Sequence, residues 1–548
     1  MVCCASFVAA LLISVFMMTS PASKNKNGWF SAERAWTHLE NISKEQHSVF
    51  DSDAIEDVRN YIEETIDAFG HVQWARVKHR QIEVRNQKAG GKEWIDIDNI
   101  YAEIPGTSGR YMLLMAHYDS SPYKEKYGVG TEGSYGAADD GYGLATMLEI
   151  MRLLNDCAAT GTLVNGVKFA FTDAEEVALG GAVALVKEFS YWLKDVNIVL
   201  NLEARGNKGP LYMFQTSDKN SKLIDFYSQT HLPFSFSIAA DVYKHLPNDT
   251  DFTPFLKGGY AGLNFAVLNS LKYYHTPEDN LNNADMATLQ FYGEQIYPLV
   301  REYIDNERYS AADSFVSNSN AVFFSLFPGL LAVYSEQFSW ILSIIATLCT
   351  ALLAFFAIRK RAISWKKAIL ALGLWTGYLL AATITGLLMS MCIGFVTGNK
   401  FNLMHMPYVP FDLGFVVVFA ALVLAAGFWI AKLCRKFNCR FADTSGGAIL
   451  LILILNVIFA FLLHGGTYLF LWPVVFLLAI FALHLFGPSG KAVQLILCAL
   501  TVLIVTILYV TLVYSLFLAL TFGALAIILL FSSFLGCILT PCVKCTSP

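Results

Sequence analysis

The sequence predicts an α/β domain, with a mixed, mainly parallel sheet sandwiched by helices, followed by an α-helical multi-span membrane domain. Three observations predict this. Short apolar runs alternate with helical patterns over residues 28–313, as in a layered α/β domain. After Phe338 come long apolar runs, each near the ~20 residues that span a bilayer. The charge divides at the same place. From Phe338 onward there are twelve Lys/Arg and two Asp/Glu, a balance of +10; the part before it has 27 against 42, a balance of −15.

The 548 residues are 55% hydrophobic and 15% charged. Soluble domains carry about 25% charged residues, so an ordinary soluble enzyme is excluded. The acidic balance of the first part excludes a nucleic-acid partner, whose backbone needs clustered Lys/Arg. Of eleven cysteines, only Cys157 lies in the hydrophilic part, so no disulfide forms within it.

In chain order, Val2 to Met18 is apolar and is succeeded by small residues around Ser20–Ser23. Residues 1–23 therefore read as a signal peptide or an N-terminal anchor, and either would export the hydrophilic domain. Ser31 caps a helix, and Ile55 to Ile66 has apolar residues at helical spacing. Strands are expected at 111–116, 167–171, 196–202 and 261–267, with helices at 144–154 and 289–304. Residues 314–337 form a connector.

Seven spans are expected near 338–358, 368–397, 413–431, 446–463, 467–486, 492–514 and 515–536. Arg359, Lys360, Arg361, Lys366 and Lys367 fill one loop; Lys432, Arg435, Lys436 and Arg440 fill another on the same side. Basic loops face the cytoplasm, so the hydrophilic domain is expected to be extracytoplasmic: lumenal, vacuolar or outside a bacterial plasma membrane. No Asp, Glu, Lys or Arg lies within these spans. A transporter needs such groups at depth, so the membrane part reads as an anchor in the lipid bilayer or a docking module for a membrane-protein partner.

The acids and histidines of the hydrophilic part come just after its predicted strands. His117-Tyr-Asp119 succeeds the first strand, and Asp139-Asp140 precedes the helix at Leu144. Glu175-Glu176 comes after the second strand and Glu203 after the third. His275 comes after the fourth. Taken singly, each has an ordinary explanation as an N-cap, a dipole partner or a turn residue. Together they place N and O donors at the carboxyl edge of the sheet, where α/β ligand crevices lie. Two imidazoles with several carboxylates suit zinc, and the surplus over three suits two ions sharing a carboxylate. Glu175 and Glu176 can divide labour, one on metal and the other free as a base.

Met115-Ala-His-Tyr-Asp-Ser120, Gly136-Ala-Ala-Asp-Asp-Gly141, Asp173-Ala-Glu-Glu176, Asn201-Leu-Glu-Ala-Arg-Gly206 and Tyr274-His-Thr-Pro277 together resemble the di-zinc aminopeptidases of the aminopeptidase S and Y type. Gly466-Thr-Tyr-Leu-Phe-Leu-Trp-Pro473 and the spans resemble their membrane-bound branch, which includes vacuolar membrane proteases and endoplasmic-reticulum metallopeptidases. The resemblance implies the zinc exopeptidase fold and two Zn²⁺ ions per chain. It implies His117 and Glu203 on the first ion, Glu176 and His275 on the second, and Asp139 bridging. Asp119 would hold the His117 imidazole, and Glu175 would be the general base acting on a metal-bridged water. Glu203 stands where many soluble relatives have Asp. The implied substrate is a peptide with a free N-terminus; Tyr243 and Asp251 are candidate substrate contacts. The rival readings are a single-zinc glutaminyl cyclase and a catalytically inactive receptor-like subunit. Gly128-Val-Gly-Thr-Glu-Gly133 matches a dinucleotide fingerprint only literally, because no strand precedes it.

Overall fold

The computed structural model describes residues 2–19, 29–86, 89–122, 133–246, 248–398, 400–403, 411–487 and 491–545. Most of the Gly128–Gly133 string and the residues just after Thr19 lie outside them. The chain divides into two units: residues 19–333, and residues 1–18 together with 334–548.

The first unit is built on a seven-stranded sheet. Its strands are β1 (Gln73–Lys78), β4 (Asp98–Ile104), β5 (Tyr111–His117), β6 (Gly166–Thr172), β7 (Val196–Ala204), β8 (Lys208–Thr216) and β9 (Gly262–Asn269), in the order β1-β4-β6-β5-β7-β9-β8. The hairpin β2 (Ile82–Asn86) and β3 (Gly91–Ile95) forms a small sheet, and β10 (Ala321–Phe327) pairs with β11 (Leu330–Ser335) in another. The connector expected at 314–337 thus contains a hairpin.

The four central strands, β6, β5, β7 and β9, run parallel. They are the four strands expected from the sequence, because strands buried on both faces read as continuous apolar runs. Met112, Leu114, Phe169, Leu200 and Phe265 point to one face, against helices Ala32–Ile42, Ser52–Asp67, Gly141–Thr160 and Met286–Asp305. Leu113, Met115, Ala170 and Val199 point to the other, against helices Gly180–Glu188 and Phe252–Lys257. Each such Val, Leu, Met or Phe side chain contributes about 1.5–3 kcal/mol when fully buried. From β5 the chain passes to β6 on one side and later to β7 on the other. That reversal opens a crevice at the carboxyl ends of the strands.

Helix ends obey local chemistry. The Ser31 hydroxyl accepts from Arg34 N at 3.3 Å, and Asp140 accepts from Gly143 N at 3.2 Å. In helix Ala32–Ile42, His38 Nδ1 lies 2.8 Å from the Tyr61 hydroxyl of helix Ser52–Asp67. Burial, partly opposed by Glu149, lowers the His38 pKa from 6.5 to about 4. The unfolded chain therefore takes up a proton between these values that the folded chain refuses, so stability falls as pH drops from about 6.5 to about 4. The melting temperature of His38→Gln should fall less than that of the wild type across this window. Identical pH slopes would refute a buried neutral imidazole.

Among the described residues of the second unit, six segments are long and apolar enough to cross a membrane: Glu336–Arg359, Trp365–Val396, Asp412–Lys436, Phe441–Leu462, Tyr468–Phe486 and Ala492–Cys542. The last, at 51 residues, covers most of two helices, Lys491–Leu520 and Leu525–Cys545, joined by a 3-10 turn at Thr521–Ala524. The sequence predicts about seven helices, with that break near 514. Continuous apolarity hides the turn. The basic loops meet at one end of this unit: Arg440 Nη1 donates to Arg361 O at 2.6 Å, Lys367 Nζ to Asn438 O at 2.5 Å and Lys360 Nζ to Leu485 O at 3.2 Å. Helix Val2–Thr19 belongs to this unit through Met18, with Ala10 and Ser14 buried.

Candidate metal centre

His117 ends β5 and is buried. Its Nδ1 lies 2.8 Å from the Asp119 carbonyl oxygen, which turns Nε2 toward Asp139 Oδ1 at 3.4 Å and Glu203 Oε2 at 3.8 Å. The other Asp139 oxygen, Oδ2, lies 3.2 Å from His275 Nε2, and His275 Nε2 lies 3.0 Å from Glu176 Oε2. Each oxygen of Asp139 therefore faces a different imidazole, one flanked by Glu203 and the other by Glu176. Donor atoms of His117, Asp139 and Glu176 lie within 4.8 Å of one another.

Three local devices hold these groups. The neighbouring aspartates divide their roles: Asp139 turns into the cluster and Asp140 caps helix Gly141–Thr160. The Asp119 carboxylate accepts from Glu175 N at 3.0 Å and Glu176 N at 3.3 Å. Its expected role is to hold the His117 imidazole, but the carboxylate stands 3.5 Å from Nδ1 and the shorter contact is the Asp119 carbonyl. Helix Glu175–Ala178 is bracketed by Ala174 at φ +55° and Leu179 at φ +53°. Left-handed non-glycine residues cost about 1–3 kcal/mol each, so the surrounding contacts must hold this turn. Gly136, at φ +61°, meets the same demand without a Cβ.

Asp279 is a member of the site that sequence reasoning does not single out. It accepts from Ala138 N at 2.9 Å, Asp139 N at 3.2 Å and Asn207 Nδ2 at 2.8 Å, tying the His275 segment to the Asp139 loop. In sequence it is one acid of a turn. Asn201 is another; its Nδ2 donates to Glu203 Oε1 at 3.0 Å.

The electrostatics are those of a cage short of positive charge. Burial pushes Glu176 up to about 7 and Glu203 up to about 8. Burial, then Glu203, drives Glu175 well above the carboxylate range. Burial opposes charge on His117 and His275, yet the surrounding carboxylates raise both; the two imidazoles in turn hold Asp139 low. Glu176 Oε1 is buried with no hydrogen-bond partner. This N/O donor set fits a borderline-soft divalent ion such as zinc.

Tyr243 and Asp251 come to the same region. Burial, then Glu203, raises the Tyr243 phenol, which sits edge-on to Phe214 at 4.8 Å. Asp251 is buried, accepts from the Thr172 hydroxyl, leaves Oδ1 without a partner and bears electrostatically on Glu175 and Glu203.

The site is a buried cluster of N and O donors at the carboxyl edge of the sheet. Residues 99–300 match the model of Peptidase family M28. Relatives include a vacuolar membrane protease of Candida albicans, 29% identical over 261 residues (47% of this chain, 28% of that protein). A Caenorhabditis elegans protein named for endoplasmic reticulum metallopeptidase 1-A is 28% identical over 261 residues (47% of this chain, 28% of that protein). The chain spans little more than a quarter of the length of these relatives. Similar solved structures include a Zn-dependent exopeptidase of Parabacteroides distasonis (19% identical, 51% of this chain, 99% of that chain, TM-score 0.39). Another is the glutaminyl cyclase of Porphyromonas gingivalis (22% identical, 50% of this chain, 99% of that chain, TM-score 0.40).

Proposed function

We propose that this protein is a membrane-anchored zinc exopeptidase that removes N-terminal residues from peptides. The observation that carries the reading is the Asp139 carboxylate, with one oxygen toward His117 and the other toward His275. His117, Asp139 and Glu203 would hold one ion; His275, Asp139 and Glu176 would hold a second. Bound zinc supplies Lewis acidity to a carbonyl and lowers the pKa of water.

Glu175 supplies the proton traffic. Its backbone N–H is fixed on Asp119, and its carboxylate stands among the acids of the cage. It takes a proton from the attacking water as the new C–O bond forms, then returns it to the amine as the C–N bond breaks. Asp251 and Tyr243 border this site, and a buried carboxylate with a free oxygen suits a substrate α-amino group. The basic loops that meet at one end of the helical unit support a cytoplasmic face there, and hence an extracytoplasmic peptidase domain.

Full-length protein in sealed vesicles tests the reading. Leucine p-nitroanilide should be hydrolysed and its N-acetyl form spared. A zinc chelator should abolish turnover and Zn²⁺ should restore it. In vesicles that keep the cytoplasmic face outward, the activity should be latent until detergent opens them. Cleavage of the acetylated form would contradict exopeptidase action, and cyclisation of N-terminal glutamine with one zinc bound would favour the cyclase. Activity without detergent would place the site in the cytoplasm.

A further inference from the structure

Arg59 lies on helix Ser52–Asp67, outside the cage, and its side chain is 12% exposed. Its fork divides between two segments that each lead to the chemistry. Nε donates to the Tyr118 hydroxyl at 2.7 Å, and Tyr118 stands between His117 and Asp119. Nη2 donates to Asp173 Oδ2 at 2.8 Å, and Asp173 stands two residues before Glu175. Nη1 reaches Glu56 at 3.2 Å, which orients the guanidinium from its own helix.

The rest of the network closes on the same two segments. Tyr118 donates to the Asp98 carbonyl, and Asp98 N donates to Asp173 Oδ2 at 3.0 Å. Asn99 Oδ1 accepts from Asp173 N at 3.0 Å, and Asn99 Nδ2 donates to Gly181 O at 2.9 Å. Gly181 N donates to Asp173 O at 2.6 Å. The helix bearing Glu175, with its two left-handed flanking residues, is thereby gripped at both ends. A Cβ on Gly181 would fall 2.4 Å from Asn99 Oδ1 and 2.5 Å from Asp173 N, so the grip leaves no slack. Asp173 is fully buried, and Arg59 is the guanidinium that pairs with it.

We propose that Arg59 is a positioning residue for the general base: it locks the Tyr118 and Asp173 segments together and so fixes the Glu175 carboxylate relative to the cage. The proposal rests on Glu175 being that base. Arg59 touches neither the cage residues nor Glu175, so its removal acts on the alignment of proton transfer rather than on metal or substrate binding. Misplacement by about 1 Å can cost about 10²-fold in rate. Lysine keeps the charge but has no fork to serve both partners at once.

The test is Arg59→Lys in the full-length zinc-loaded protein, with Tyr118→Phe as a milder variant that removes the Nε acceptor and the donor to the Asp98 carbonyl but leaves the Arg59–Asp173 pair. Arg59→Lys should lower kcat by about 10- to 100-fold, with KM within about twofold and zinc content unchanged. In a Glu175→Gln background it should cost nothing further, because effects through one group are not additive. Tyr118→Phe should show a smaller loss with the same signature, and it decides the matter should Arg59→Lys fail to fold. Unchanged kcat, loss of zinc, or a full additional loss in the Glu175→Gln background would each overturn the proposal. Full turnover in Glu175→Gln alone would instead overturn the general-base reading.

Discussion

Glu175→Gln should lower kcat by about 10²–10⁴-fold, the usual contribution of a general base. Glutamine keeps the size of the side chain, and the backbone N–H that Asp119 accepts is untouched. What is lost is the capacity to take a proton. In the ion-pair geometry the His117 and His275 Nε2 atoms face Asp139, Glu203 and Glu176. Zinc per chain should therefore equal that of the wild type in the same preparation. A variant that keeps its turnover would remove Glu175 from the chemistry, and one that loses zinc would move it into the cage.

Asp139→Asn should have the other large effect, on metal rather than on proton transfer. Both carboxylate oxygens of Asp139 face imidazoles, and the amide leaves one of the two positions with an N–H donor. Zinc content should fall well below that of the wild type, and activity should fall by about 10³-fold or more, the scale of lost metal-assisted stabilisation. The fold should survive, because the Asp139 backbone is held by Asp279 independently of its own side chain. The readout is the melting temperature with and without Zn²⁺. The wild type should gain on zinc addition, as any ligand bound to the native state stabilises it, and Asp139→Asn should not. A zinc-dependent gain of equal size in the variant would show that the ion sits elsewhere.

The parts legible in sequence share a physical cause. Strands β5, β6, β7 and β9 are buried on both faces, so they read as apolar runs, and the donors just beyond them mark the crevice. Strand β1, Gln73–Lys78, alternates toward solvent, while the β2–β3 hairpin is short and mostly polar; neither stands out from a loop. The His117, Asp139, Glu175, Glu176, Glu203 and His275 set is visible through its placement and order. The groups that hold it are not. Asp279 and Asp173 are lone acids in turn-like strings, and Arg59 is one of several charges on an amphipathic helix. Their roles arise from contacts across 140 and 114 residues of chain. In the membrane part, composition marks the spans, yet it cannot place the turn at Thr521–Ala524 inside an unbroken apolar stretch.

The most direct test is diffraction at the zinc absorption edge from crystals of the zinc-loaded full-length protein. The account predicts two anomalous peaks about 3.5–4 Å apart, one beside His117 and Glu203, the other beside His275 and Glu176, with Asp139 between them. A single peak, or peaks away from these five side chains, would contradict it.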